Sequence, residues 1–199
     1  MLFRSPVAIV YTVTLSKQND TGVAISFDLD DLLSGSAASG LDYTAIPAGA
    51  QITIANGAST GSLAVAVTDD AALESTETVA AQLSNSSNAA VTITGATATA
   101  NITDNDTANA VLSVTTQGDE TGPVAIVYTV TLSQVHNTGS AISFDIASSG
   151  GSATSGADYT AIPGGAQISV ANGSATGTYT VLVTDDALLE ATETVQATI

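Results

Sequence analysis

Apolar and polar residues alternate with a period of two along most of this chain, as in Thr12-Val13-Thr14-Leu15 and Gln51-Ile52-Thr53-Ile54. That alternation puts one set of side chains on a buried face and the other in solvent, and it predicts β-strands. Within one repeat they are expected as A near residues 111–115, B near 7–15, C near 23–29, D near 51–55, E near 62–67, F near 78–83 and G near 96–102. No stretch carries a 3.6-residue period. Asn56-Gly57 and Asn172-Gly173 stand between D and E, a dipeptide suited to a tight hairpin turn because both residues tolerate positive φ. Seven short strands per repeat predict an all-β fold of two tandem immunoglobulin-like β-sandwich modules.

The pattern recurs. Tyr11 matches Tyr128 and Asp28 matches Asp145, an offset of 117, which becomes 116 from Asp42 and Asp158 onward. All four prolines fall in paired positions, Pro6 with Pro123 and Pro47 with Pro163. The modules are expected at residues 1–106 and 107–199. Residues 108–122 open the second module and have no equivalent before Pro6, while the first continues past Leu83 to Asp106 and the second stops at Ile199. The expectation is therefore a first module without strand A, a second without strand G, and a segment of a longer array. Neighbouring repeats are its expected partners, and open strand edges favour a homo-oligomer. The run at Pro6 resembles a signal peptide, but the same residues return mid-chain at Pro123, so it reads as a strand.

Charge changes the picture more than size does. Two basic residues stand against nineteen acidic ones, giving a formal charge of -17, so nucleic acid and membrane insertion are not expected. Cysteine is absent, which excludes disulfides, thiolate metal sites and a cysteine nucleophile. The acids are not spread evenly. Each repeat holds the frame D-D-x-x-x-E-x-x-E, as Asp69, Asp70, Glu74, Glu77 and as Asp185, Asp186, Glu190, Glu193, read as a loop joining E to F. If successive strands run up and down, A, C, E and G finish at one end. Asp119 and Glu120 follow A, Asp42 or Asp158 follows C, the double-Asp frame follows E, and Asp104 and Asp106 follow G. Fourteen of the nineteen acids thus converge on one pole of their module, where their repulsion calls for a counter-charge. Calcium, which takes six to eight oxygen ligands, suits an all-oxygen set; zinc and softer metals lack their ligands here.

The combination G-x-D-Y, then V-x-D-D-x-x-x-E-x-x-E-T, then I-x-D-N-D resembles the Calx-beta domain across essentially the whole chain. The resemblance implies calcium ligands at Asp42, Asp69, Asp70, Glu74 and the Asp104/Asp106 connection in the first module. In the second it implies Glu120, Asp158, Asp185, Asp186 and Glu190, and Glu77 and Glu193 complete the acidic frames as further candidates. The first module has no acidic A–B segment and the second none after G, so each site departs from the full pattern. The functional expectation is a non-enzymatic, calcium-stiffened segment of an extracellular or cell-surface repeat protein such as an adhesin stalk, with a calcium-independent self-assembly module as the alternative and a hydrolase third.

Three other signals read as structural. Asp28, Asp30 and Asp31 resemble the start of an EF-hand loop, but the counterpart of Asp30 is Ala147. His136, the only histidine, replaces Asn19 of the first repeat and is expected at the surface. Paired carboxylates could serve glycoside hydrolysis, but a duplicated site without aromatic sugar platforms does not suit it.

Overall fold

Alternation does produce strands. The structure, a computed structural model, describes residues 8–199; the expected start of strand B at Val7 and the reading of the N-terminal run lie outside the described residues. Two compact units divide the chain, one running to Asp70 and resuming at Thr76–Asp104, the other comprising Ala71–Ser75 and Asn105–Ile199. In chain order the first strands are β1 (Ala8–Thr14), β2 (Ile25–Asp31), β3 (Gln51–Ile54), β4 (Thr60–Ala66), the two-residue β5 (Leu73–Glu74), β6 (Glu77–Ser84) and β7 (Thr97–Ile102). All but β5 belong to the first unit.

In that unit β1 and β4 form one sheet, and β3-β2-β6-β7 form the other. Their inward residues meet in one core cluster, Ile9 and Tyr11 from β1, Leu29 from β2, Ile52 from β3, Val65 from β4, and Val79 and Ala81 from β6, and Ile25, Phe27 and Ile54 form a second. Removing each of these larger aliphatic side chains from water contributes roughly 1.5–3 kcal/mol, which is what holds two such sheets face to face. Tyr11 also crosses the core, its hydroxyl donating to the carbonyl of Val79 at 3.2 Å.

The second unit contains β8 (Ala110–Thr116), β9 (Ile126–Leu132), β10 (His136–Asn137), β11 (Ile142–Asp145), β12 (Ala147–Gly151), β13 (Gln167–Val170), β14 (Thr176–Val181) and β15 (Val195–Thr198). One sheet has the order β14-β9-β8; β11 pairs with β13, and β12 with β15. Tyr128, Val130, Ile168, Val170 and Val181 lead its core. Tyr128 repeats the bond of Tyr11, donating to the carbonyl of Val195 at 2.8 Å.

Three expectations need correction. The Asn-Gly turns do not use positive φ at both residues: Gly57 and Gly173 do, at 84° and 78°, whereas Asn56 and Asn172 do not. The asparagine is there for its side chain, since Asn56 Oδ1 accepts from the Gly22 N–H at 2.8 Å and Asn172 Oδ1 from the Gly139 N–H at 2.9 Å. His136 is fully buried rather than at the surface. Its Nε2 lies 3.2 Å from the Val170 carbonyl and its Nδ1 3.2 Å from Thr138 Oγ1. Asn19, equally buried, donates to the equivalent carbonyl of Ile54 at 3.1 Å, so both side chains satisfy a strand-end carbonyl that would otherwise be bare. Finally, the first acidic frame is not all loop. Its Leu73–Glu74 forms β5, which pairs in parallel with β10 inside the second unit.

Candidate metal centre

The site in the second unit is assembled by backbone bonds before any carboxylate is considered. In residues 154–159 the chain turns back, with the Asp158 N–H donating to the Thr154 carbonyl at 3.0 Å and the Thr154 N–H donating to Asp158 Oδ2 at 2.5 Å. This fixes the aspartate's side chain against its own turn. Tyr159 is buried beneath it. On the other side the Asp158 carbonyl accepts from the Thr184 N–H at 2.9 Å, and the Thr160 N–H donates to the Leu182 carbonyl at 2.8 Å. The loop after the C strand is thereby tied to the residues that open the D-D-x-x-x-E-x-x-E frame. The first unit repeats the arrangement: Ala38 N–H to Asp42 Oδ2 at 2.5 Å, and Thr68 N–H to the Asp42 carbonyl at 2.9 Å.

The result is a carboxylate cluster. Asp158, Glu190 and Glu193 place ligand oxygens within 4.8 Å of one another. Glu120, from the loop after β8, lines the same open cleft. Three loops separated by up to 73 positions of sequence therefore deliver acids to one place, as the up-and-down argument expects. In the first unit Asp42 and Glu77 have carboxylate oxygens within 4.8 Å of each other. Glu193 and Glu77, which the family resemblance left at the margin of the frame, are thus inside these groups.

The electrostatics agree with the geometry. The Glu190 carboxyl is raised above its ordinary value, first by lost hydration and then by the charges of Asp158, Asp186 and Glu120. Glu193 is raised mainly by a hydrogen bond shared with Asp158, then by lost hydration and by the charges of Asp158, Glu190 and Glu120. In both, the charges of neighbouring carboxylates add to a larger cause.

Asp69, Asp70, Asp185 and Asp186 are exposed, and Asp186 accepts from the Leu188 N–H at 2.6 Å through Oδ1. Glu74 sits on β5, where it accepts from Asn137 Nδ2 at 3.4 Å. Asp104 and Asp106 are half-buried, the first in one unit and the second in the other. Asp28 and Asp31 on β2 are structural, as expected. Gln51 and Asn85 donate to Asp28 at 2.8 and 3.0 Å and hold its carboxyl below its usual range, while the Tyr43 hydroxyl donates to Asp31 at 2.8 Å.

What the cluster can hold follows from its donors. All are hard oxygens, and no thiolate is available, so the residues fit a hard divalent cation such as calcium. Among the described residues no helix is long and apolar enough to cross a membrane. No curated protein matches the chain. Solved structures similar to it include CBD12 from CALX1.2, 18% identical over 88% of this chain and 69% of that one with a TM-score of 0.39. The calcium binding domain CBD12 of CALX1.1 is 17% identical over 90% and 70%, with a TM-score of 0.40. The sequence profile of the Calx-beta domain matches residues 5–106 and again 110–199, and the chain therefore belongs to the Calx-beta domain family as a tandem pair.

Proposed function

We propose that this chain is a calcium-binding, non-catalytic structural segment of an extracellular or cell-surface repeat protein, a spacer or stalk. One observation carries the reading: Asp158, Glu190 and Glu193 converge within 4.8 Å although their loops are distant in sequence. Such a group is unfavourable while it is bare and becomes favourable once a divalent cation neutralises it. Asp158, Glu190, Glu193 and Glu120 would hold the ion in the second unit, with Asp185 and Asp186 next in reach of the same frame. The ion would supply charge neutralisation and cross-linking of three loops.

Binding to the folded state alone stabilises it by about 2.7 kcal/mol at a hundredfold excess over the dissociation constant. Thermal unfolding in calcium and in chelator tests this directly. The expected result is a higher midpoint with calcium, reduced in Glu190→Gln; an unchanged midpoint would remove the metal from the function.

A further inference from the structure

The turns at Asn56-Gly57 and Asn172-Gly173 carry a chemistry that the fold holds back. In an asparaginyl-glycine pair the glycine nitrogen can attack the asparagine's own Cγ, since no Cβ on the glycine shields it. The N–Cγ bond forms, the Cγ–Nδ2 bond breaks, and ammonia leaves with the glycine's amide proton. Water then opens the five-membered succinimide, giving aspartate or a β-linked aspartate. Nothing but water is consumed.

Both reacting groups are tied to a second piece of chain. In the first unit the Gly57 N–H donates to the Asn19 carbonyl at 2.6 Å, and Asn56 Oδ1 accepts from the Gly22 N–H at 2.8 Å. In the second the Gly173 N–H donates to the His136 carbonyl at 2.8 Å, and Asn172 Oδ1 accepts from the Gly139 N–H at 2.9 Å. Asn19 and His136 are themselves buried, at 2% and 0% exposure, so each clamp is anchored in its unit. Within the turns the Ala58 N–H donates to the Ala55 carbonyl and the Ser174 N–H to the Ala171 carbonyl, both at 3.0 Å. Closing the ring requires the asparagine side chain to swing onto the glycine nitrogen and that nitrogen to leave its carbonyl. The clamp must open first.

The two clamps are unequal. Asn172 Nδ2, the nitrogen that would depart, donates to Asn137 Oδ1 at 3.0 Å, and Asn137 lies in β10, which β5 pairs in parallel. Among the described residues Asn56 Nδ2 has no such acceptor, the counterpart of Asn137 being Asp20.

We propose that Asn56 and Asn172 are latent self-deamidation sites, kept intact by these clamps, and that Asn56 converts first. Each event adds a negative charge to a chain already at -17. The β-linked product also inserts a methylene into the backbone of a turn whose ends are hydrogen-bonded, so a chain that has spent time open carries a mark that opposes reclosure of its hairpin.

This proposal does not depend on calcium. Its test incubates the intact chain in mildly alkaline buffer, with and without denaturing urea, and follows each asparagine by peptide mass spectrometry and the total by ammonia release. In urea the two sites should convert at similar rates. Folded, both should be slower by about tenfold or more, the suppression reporting how rarely each clamp opens, and Asn56 should lead Asn172. Asn137→Ala, a change at an exposed position, should raise the Asn172 rate toward that of Asn56 and leave Asn56 unmoved. Equal rates in the folded and the urea-treated chain would overturn the proposal, as would folded Asn172 keeping pace with Asn56. An Asn172 rate indifferent to Asn137→Ala, with circular dichroism showing the fold retained, would remove the unequal clamp.

Discussion

The Glu193 carboxyl is raised above its ordinary value, first by hydrogen bonding with Asp158, and that shift contributes a pH response to the second unit. A carboxyl whose folded-state pKa is raised stabilises the fold fully below its unfolded value and loses that contribution as pH rises through the folded one. Glu190 and Glu193 both have this sign. In chelator, therefore, the melting midpoint of the second unit should rise as pH falls from neutrality toward the ordinary glutamate value of 4.5. Glu193→Gln should flatten that rise, and calcium should reverse its slope, because a bound cation requires the deprotonated forms. A midpoint that falls with acidification in chelator would contradict the assignment. Asp28, whose carboxyl is depressed, has the opposite sign, and its contribution is lost only as pH falls below the usual aspartate range. The acidic frames were legible as residues, but His136 was not: nothing in a lone histidine announces that it caps the Val170 carbonyl. Its alignment with Asn19, another side chain able to donate to a carbonyl, was the available signal.

At the scale of elements, period-two alternation located all seven expected strands to within a few residues, because burial of one face is a local property of each strand. Strands that arise only from a partner escaped it. Leu73–Glu74 has no alternation to speak of, and it becomes β5 because the Leu73 N–H finds the Val135 carbonyl at 3.1 Å. The hairpin from β13 to β14 depends on a glycine for a different reason. A Cβ at Gly177 would fall on the Ser169 carbonyl oxygen and 3.1 Å from Ile168 Cγ2, and Gly61 faces the Thr53 carbonyl in the same way. Gly177→Ala should therefore lower the stability of the second unit by roughly 1–3 kcal/mol, the usual range for overfilling a packed site. Chemical denaturation would show it, and a neutral result would mean that the hairpin can open without loss.

For the whole molecule, a charge of -17 on 199 residues is a standing repulsion that opposes compaction. Monovalent salt screens exposed charges over about 10 Å at 0.1 M, so in chelator added sodium chloride should raise the melting midpoint. With calcium bound, the same salt should do less, because the most crowded carboxylates are already neutralised. Equal salt effects in both conditions would place the repulsion outside the clusters.

Sequence by itself determined the all-β class, the duplication and the acidic frames, since each follows from periodicity and self-similarity. Tertiary structure alone decided which acids meet. Asp158, Glu190 and Glu193 come within 4.8 Å because backbone bonds from Asp158 to Thr154 and Thr184 fix one loop against another. It also decided that one sequence, in β1 and β9, is half-bare in one place and buried in the other. Burial belongs to a strand's neighbours, and neighbours are not written in the strand.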